Sequence, residues 1–184
     1  MNFEIELKDF IEEIASGPRV SGTKDEKKAL SFLEECVQNI GFSVKRESFS
    51  FQASIPQESY LKVKDTRFEV LPVGYSKSGE ISGHIAFKES LESEMLEGVD
   101  GCIVVYPDYI YERREYESLL SSEIGGVLLA PGDRLADIAT CTMFWEKWLE
   151  SGRLIAATIG KKKLYGIFSG DEATLVSRSI EKIL

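Results

Sequence analysis

Two short apolar runs, Gly101–Tyr106 (GCIVVY) and Gly125–Ala130 (GGVLLA), constrain the fold more than any other feature of the chain. Neither alternates with polar residues. A strand covered on one face alternates, whereas a strand covered on both faces is apolar throughout. Between the two runs, Glu112–Ser122 has the composition of a helix. Strand, helix and strand on short connections make a βαβ unit, whose two strands are parallel. The fold class is therefore α/β.

The region before this unit has two textures. Phe3, Leu7, Phe10, Ile11 and Ile14 recur at three- and four-residue spacing, which predicts a helix that stops at Ser16-Gly17-Pro18. A second helix is expected over Asp25–Ile40. Thr23 or Asp25 caps it, Ala29, Leu30, Leu33 and Val37 lie on its apolar face, and Gly41 ends it. Phe42, Val44, Phe49 and Phe51 then predict a strand over Phe42–Phe51. From about Ile55 short strand candidates follow one another: Tyr60–Val63, Phe68–Val73 and Ile81–Phe87. After the βαβ unit, Phe144–Leu149 is expected to be helical, Leu154–Ile159 and Leu164–Phe168 extended, and Asp171–Leu184 a closing helix. The expected division is an amino-terminal segment, 1–54, and a β-rich domain, 55–184.

Bulk properties narrow the function. The formal charge of −9 over 184 residues repels phosphate backbones and argues against nucleic-acid binding. No apolar run reaches the roughly 20 residues of a membrane span, and the acid-rich start is unlike a signal peptide. A cytoplasmic protein is expected. Cys36, Cys102 and Cys141 are too few and too scattered for a disulfide framework or a zinc knuckle.

No set of residues for hydrolytic chemistry is visible. A two-metal site needs several ligands converging on ions about 3.5–4 Å apart, and the chain has one histidine, His84. His84 is expected to face solvent or lie on an edge strand. Neither a nucleophile elbow nor a phosphate-binding glycine loop is present. Cys102 falls inside an apolar strand, where burial blunts a thiol. Acid doublets such as Glu34-Glu35 point about 100° apart on a helix and do not converge. Trp145 and Trp148 share a helix face and suit packing. The tract Tyr106-Pro107-Asp108-Tyr109-Ile110-Tyr111 follows a parallel strand, at the end where α/β folds bind ligands. Tyr109 and Tyr111 are therefore the candidate binding residues, for a peptide or protein partner.

The run Ala15-Ser16-Gly17-Pro18-Arg19-Val20-Ser21-Gly22-Thr23, followed by a helix, Gly41 and an aromatic-rich segment, is similar to the opening of M28-type zinc aminopeptidases, G-x-R-x-x-G-[ST]. Val99-Asp100-Gly101-Cys102-Ile103-Val104-Val105 resembles the strand written V-K-G-K-I-V-L-V in the protease-associated domain that some of these peptidases carry as an insertion. Glu115–Ala130 resembles the helix and strand that follow it, with Ser121 or Ser122 in place of alanine.

The resemblance implies a protease-associated-like, β-rich domain with βαβ elements, preceded by two helices and a strand. In that family the metal ligands and catalytic glutamate lie after the inserted domain. No catalytic or metal residue is therefore carried over, no cofactor is expected in this chain, and zinc is expected only where a catalytic domain follows. Arg19 matches the motif arginine, for which a structural role is expected. Two functions follow. One is a non-catalytic protease-associated region of a zinc aminopeptidase, shaping substrate access or binding a peptide or protein. The other is a free-standing interaction module that buries its amino-terminal helices against a partner, such as a second copy in a homodimer.

Overall fold

The computed structural model describes residues 3–16, 22–132, 142–144 and 146–183, with main chain alone at 3–6 and 146. Arg19, Cys141, Trp145 and most of the family-like motif lie outside the described residues. The chain separates into two compact units, Met1–Ala53 with Lys182–Leu184, and Ser54–Glu181.

The first unit contains α1 (Phe3–Ile14) and α2 (Lys24–Asn39). Gly22 takes a left-handed φ of 80°, and Thr23 is the cap of α2, its hydroxyl accepting from Glu26 N at 3.3 Å. Gly41, at φ 92°, closes the helix by donating to Gln38 O at 2.9 Å, as a C-terminal glycine does. The rings of Phe10 and Phe32 join the two helices with centroids 5.5 Å apart.

The second unit is built on an eight-stranded sheet among the described residues. Its strands are β2 (Tyr60–Val63), β3 (Thr66–Glu69), β4 (Leu71–Pro72), β5 (Gly79–Phe87), β6 (Ile103–Tyr106), β7 (Gly126–Leu129), β8 (Ala156–Thr158) and β9 (Glu172–Ser177). The spatial order is β3-β2-β9-β5-β6-β7-β8-β4. Strands β5 to β8 run parallel, and the flanking pairs are antiparallel. The outermost strands, β3 and β4, are joined through the single buried residue Val70, so the sheet curls on itself. β1 (Gln52–Pro56) and β10 (Ser179–Ile183) pair as a separate ribbon, which brings the start and end of the second unit side by side.

The βαβ reading holds. α3 (Arg113–Ser121) connects the parallel strands β6 and β7, and Glu112 and Glu115 form a reciprocal capping box at its start. Both faces of β6 and β7 are covered. Val104, Val127 and Leu129 pack under α3 with Tyr116 and Leu119, while Ile103, Val105 and Leu128 face the opposite core with Leu61, Ile85 and Leu175. Double burial is what removed the polar alternation from these runs.

Five expectations fail. Residues 42–51 form no strand and have no ladder partner among the described residues. Phe68–Val73 divides at Val70 into β3 and β4. Leu164–Phe168 is a turn following the 3-10 segment Lys161–Leu164, because Gly166 and Gly170 sit at φ 86° and 91° and break extension. In place of the closing helix expected over Asp171–Leu184 stand β9 (Glu172–Ser177) and β10 (Ser179–Ile183): Ala173 and Leu175 point to one core at the two-residue period of a sheet. The segment expected to be helical at Phe144–Leu149 is a 3-10 turn over Glu146–Ser151, with Trp148 packed in the core beside Tyr116.

Candidate functional site

Strands β5, β6 and β7 end at one edge of the sheet, and an apolar groove of about 430 Å³ opens there. Phe87, Val105, Pro107 and Ala130 line it from the strand ends. Lys161, Leu164, Tyr165, Ile167 and Phe168 line it from the turn between β8 and β9. Tyr165 and Phe168 are 64% and 66% exposed, although the groove beside them would shelter an apolar ligand.

The turn that carries these aromatics is held by its main chain. Ile167 N donates to Leu164 O at 3.1 Å, and Gly170 N donates to Ile85 O at 2.8 Å. The Asp171 carboxylate accepts from Phe168 N at 2.9 Å and meets Lys64 Nζ at 2.9 Å. The Phe168 amide, followed by Lys64, holds its pKa below the ordinary value near 3.8.

Tyr109 and Tyr111 stand in the loop after β6, whose Pro107 lines the groove; neither tyrosine lines it. The structure brings the two together, ring centroids 6.0 Å apart and edge to face. Asp108 organises the loop: one carboxylate oxygen accepts from Tyr109 N at 2.8 Å and from the Tyr111 hydroxyl at 3.3 Å. Desolvation, then the negative charge of Asp108, raises the Tyr111 pKa. Tyr106 is raised by burial first and then by Glu115 and Asp108. Both phenols therefore remain protonated donors at neutral pH and are not bases.

His84 lies in β5, an interior strand, and faces solvent; its Nδ1 is 3.1 Å from Gly170 O. A shallow polar trough surrounds it on the open face of β2, β9 and β5, with Ser82 and Thr174 already bonded to each other at 2.8 Å. Cys102 packs against the α3 side of the core. Among the described residues no three His, Cys, Asp or Glu side chains come together as a group that could hold a metal ion. Nor is any helix among them long and apolar enough to cross a membrane.

The first unit carries a different feature. Only Ala29 of the 16 residues of α2 is buried, although the helix is amphipathic. Leu30 on α2, Ile40 just after it, and Phe42 and Phe49 in the following segment are all exposed, Phe49 at 79%. An apolar trough of about 830 Å³ runs between α2 and residues 44–51.

Sequence reasoning missed Lys161, Tyr165 and Phe168. The available signal was the run Lys161-Lys162-Lys163 in an acidic chain, placed next to aromatics between two glycines. A periodic reading of 164–168 as a strand concealed it.

The architecture defines a mixed α/β protein whose fold is similar to part of the aminopeptidase fold. No family model matches the chain, and no curated protein matches it in sequence. Solved structures do match. A zinc aminopeptidase from Bacillus subtilis aligns over 95% of this chain and 44% of its own, with 14% identity and a TM-score of 0.63. The aminopeptidase from Aneurinibacillus sp. strain AM-1 aligns over 96% and 44%, with 18% identity and a TM-score of 0.57. A peptidase M28 precursor from Shewanella amazonensis SB2B aligns over 95% and 47%, with 16% identity and a TM-score of 0.59. At these identities the likeness is one of fold, and this chain spans less than half the length of each.

Proposed function

We propose that the chain is the amino-terminal and protease-associated-like region of an M28-like zinc aminopeptidase, itself non-catalytic, acting together with a zinc-bearing catalytic part in the cytoplasm. The observation that carries this is the unburied apolar face of α2 and the exposed Ile40, Phe42 and Phe49 beside it. Large apolar side chains left in water at this density mark a surface that another body covers. The partial alignment supports the same reading: nearly all of this chain corresponds to less than half of each aminopeptidase. The motif residues Gly22 and Thr23 have a mechanical role in it, since they start α2. Arg19, which matches the motif arginine, is proposed to have a structural role.

In this function Ser54–Glu181 shapes access to the catalytic part, and the paired Tyr109 and Tyr111 contact the peptide. Their rings offer apolar area with little rotamer entropy to lose. The purified 184-residue chain, given zinc and aminoacyl p-nitroanilides, should show no turnover above the metal blank. Chelator-sensitive turnover by the chain alone would contradict a non-catalytic role.

A free-standing interaction module is the second reading. The groove at the strand ends favours it, because a binding cleft complete within Ser54–Glu181 needs no peptidase to be useful.

A further inference from the structure

The groove at the ends of β5, β6 and β7 has one chemical asymmetry. Its floor is apolar, from Val105, Ala130 and Ile167, which are all buried. Its rim carries Lys161, the first of three consecutive lysines, in a chain whose formal charge is −9. Among the described residues the Lys161 ammonium reaches the Pro107 carbonyl at 3.5 Å, a long contact that leaves it able to take a stronger acceptor.

We propose that this groove binds the carboxyl-terminal residue of a peptide whose last side chain is large and apolar. The side chain would fill the floor between Phe168 and Tyr165, and the terminal carboxylate would meet Lys161.

Three features favour that occupant. The volume, about 430 Å³, falls within the roughly 300–1,000 Å³ of small-ligand sites, larger than one side chain needs and suited to a residue with part of its main chain. One cation, Lys161, at the rim of an otherwise apolar cleft favours a ligand with an apolar body and an anionic end. The aromatic walls stand on a turn fixed by Asp171 and by the Gly170–Ile85 bond, so the cleft is formed before ligand arrives.

The inference goes beyond the peptide contact proposed above for Tyr109 and Tyr111, and it does not depend on a catalytic partner, because the groove lies wholly within Ser54–Glu181. Its test uses the whole purified chain alone, so an absence of associated peptidase would leave the result untouched.

The probe is acetyl-Ala-Ala-Ala-Phe as free acid, its carboxyl-terminal amide, and N-acetyl-phenylalanine, each titrated calorimetrically. The acid should bind saturably and at least about ten-fold more tightly than the amide, as a charge-assisted bond requires. Lys161→Gln should erase the difference between acid and amide, while Phe168→Ala should weaken both peptides by a similar factor. Near-UV circular dichroism of both variants checks the fold, and two-dimensional amide spectra of the unaltered chain show whether Phe87, Ala130 and Ile167 shift with ligand. Equal affinity for acid and amide would overturn the proposal, as would shifts confined to other residues. So would an N-acetyl-phenylalanine affinity equal to that of the peptide, which would identify a small-acid site instead.

Discussion

The carbonyl oxygen of Gly101 stands 2.3 Å from the point where a Cβ on Gly83 would lie. Glycine at 83 is what lets β5 pass the turn that leads into β6. The adjacent parallel register, Ile85 opposite Ile103, depends on that approach. The obstacle is main chain, which has no rotamer by which to yield. Gly83→Ala should therefore cost about 1–3 kcal/mol, the usual range for overpacking. Urea denaturation monitored by circular dichroism would measure it, and a loss below about 0.5 kcal/mol, the scatter of ordinary surface substitutions, would show that β5 and the Gly101 turn are not so constrained.

Tyr116 ties α3 to the segment leading into β8. Its ring contacts Phe144 at 4.8 Å and Trp148 at 5.8 Å, and its hydroxyl donates to Gly152 O at 2.7 Å. Burial raises its pKa, so the donor persists at neutral pH. Tyr116→Phe keeps the ring contacts and removes the bond, for an expected loss of about 0.5–1.5 kcal/mol, whereas Tyr116→Ala should lose about 3–5 kcal/mol. Equal losses for the two, by thermal or chemical denaturation, would mean that the hydroxyl rather than the ring carries the contact.

Asp171 gives the turn behind the groove an acid limit. Its carboxyl titrates below the ordinary value near 3.8 because the folded state bonds the charged form. A depressed folded pKa stabilises above the unfolded value, and that contribution is lost as pH falls through the folded one. Stability should therefore drop as pH falls below about 3.8, and Asp171→Asn should flatten that part of the curve while lowering stability at pH 7. Parallel pH curves for the two proteins would contradict this role.

The helical start, the βαβ unit and the doubly buried strands were legible because each rests on local periodicity. Spacing alone predicts α1, Gly41 marks the end of α2, and of the two candidate caps, Thr23 and Asp25, it is Thr23 that accepts from Glu26 N. The misread segments have long-range causes. Residues 173–177 alternate as a strand only because β9 pairs with β2 and β5, 90 to 116 positions earlier in sequence. Residues 42–51 have strand composition without a strand partner among the described residues. The loop with Tyr109 and Tyr111 was legible from its position after a parallel strand. Lys161 and Phe168 were not, since their proximity to Pro107 is purely tertiary.

If Tyr109 and Tyr111 contact a peptide substrate, replacing both with alanine in the source organism's gene should raise KM for peptide substrates by about five- to thirty-fold, the scale of lost aromatic anchors. kcat should change by less than about two-fold, because no reacting group is touched. Steady-state assays of the aminopeptidase activity recovered with the chain would show the split. An unchanged KM would remove the two tyrosines from the binding surface.

The central claim is that this fold works beside a zinc-bearing catalytic part. An antibody raised to the chain should precipitate, from an extract of its source, a species heavier than 20.6 kDa that hydrolyses leucine p-nitroanilide, loses activity to a chelator and regains it with zinc. A precipitate of 20.6 kDa alone, with no aminopeptidase activity, would contradict the claim.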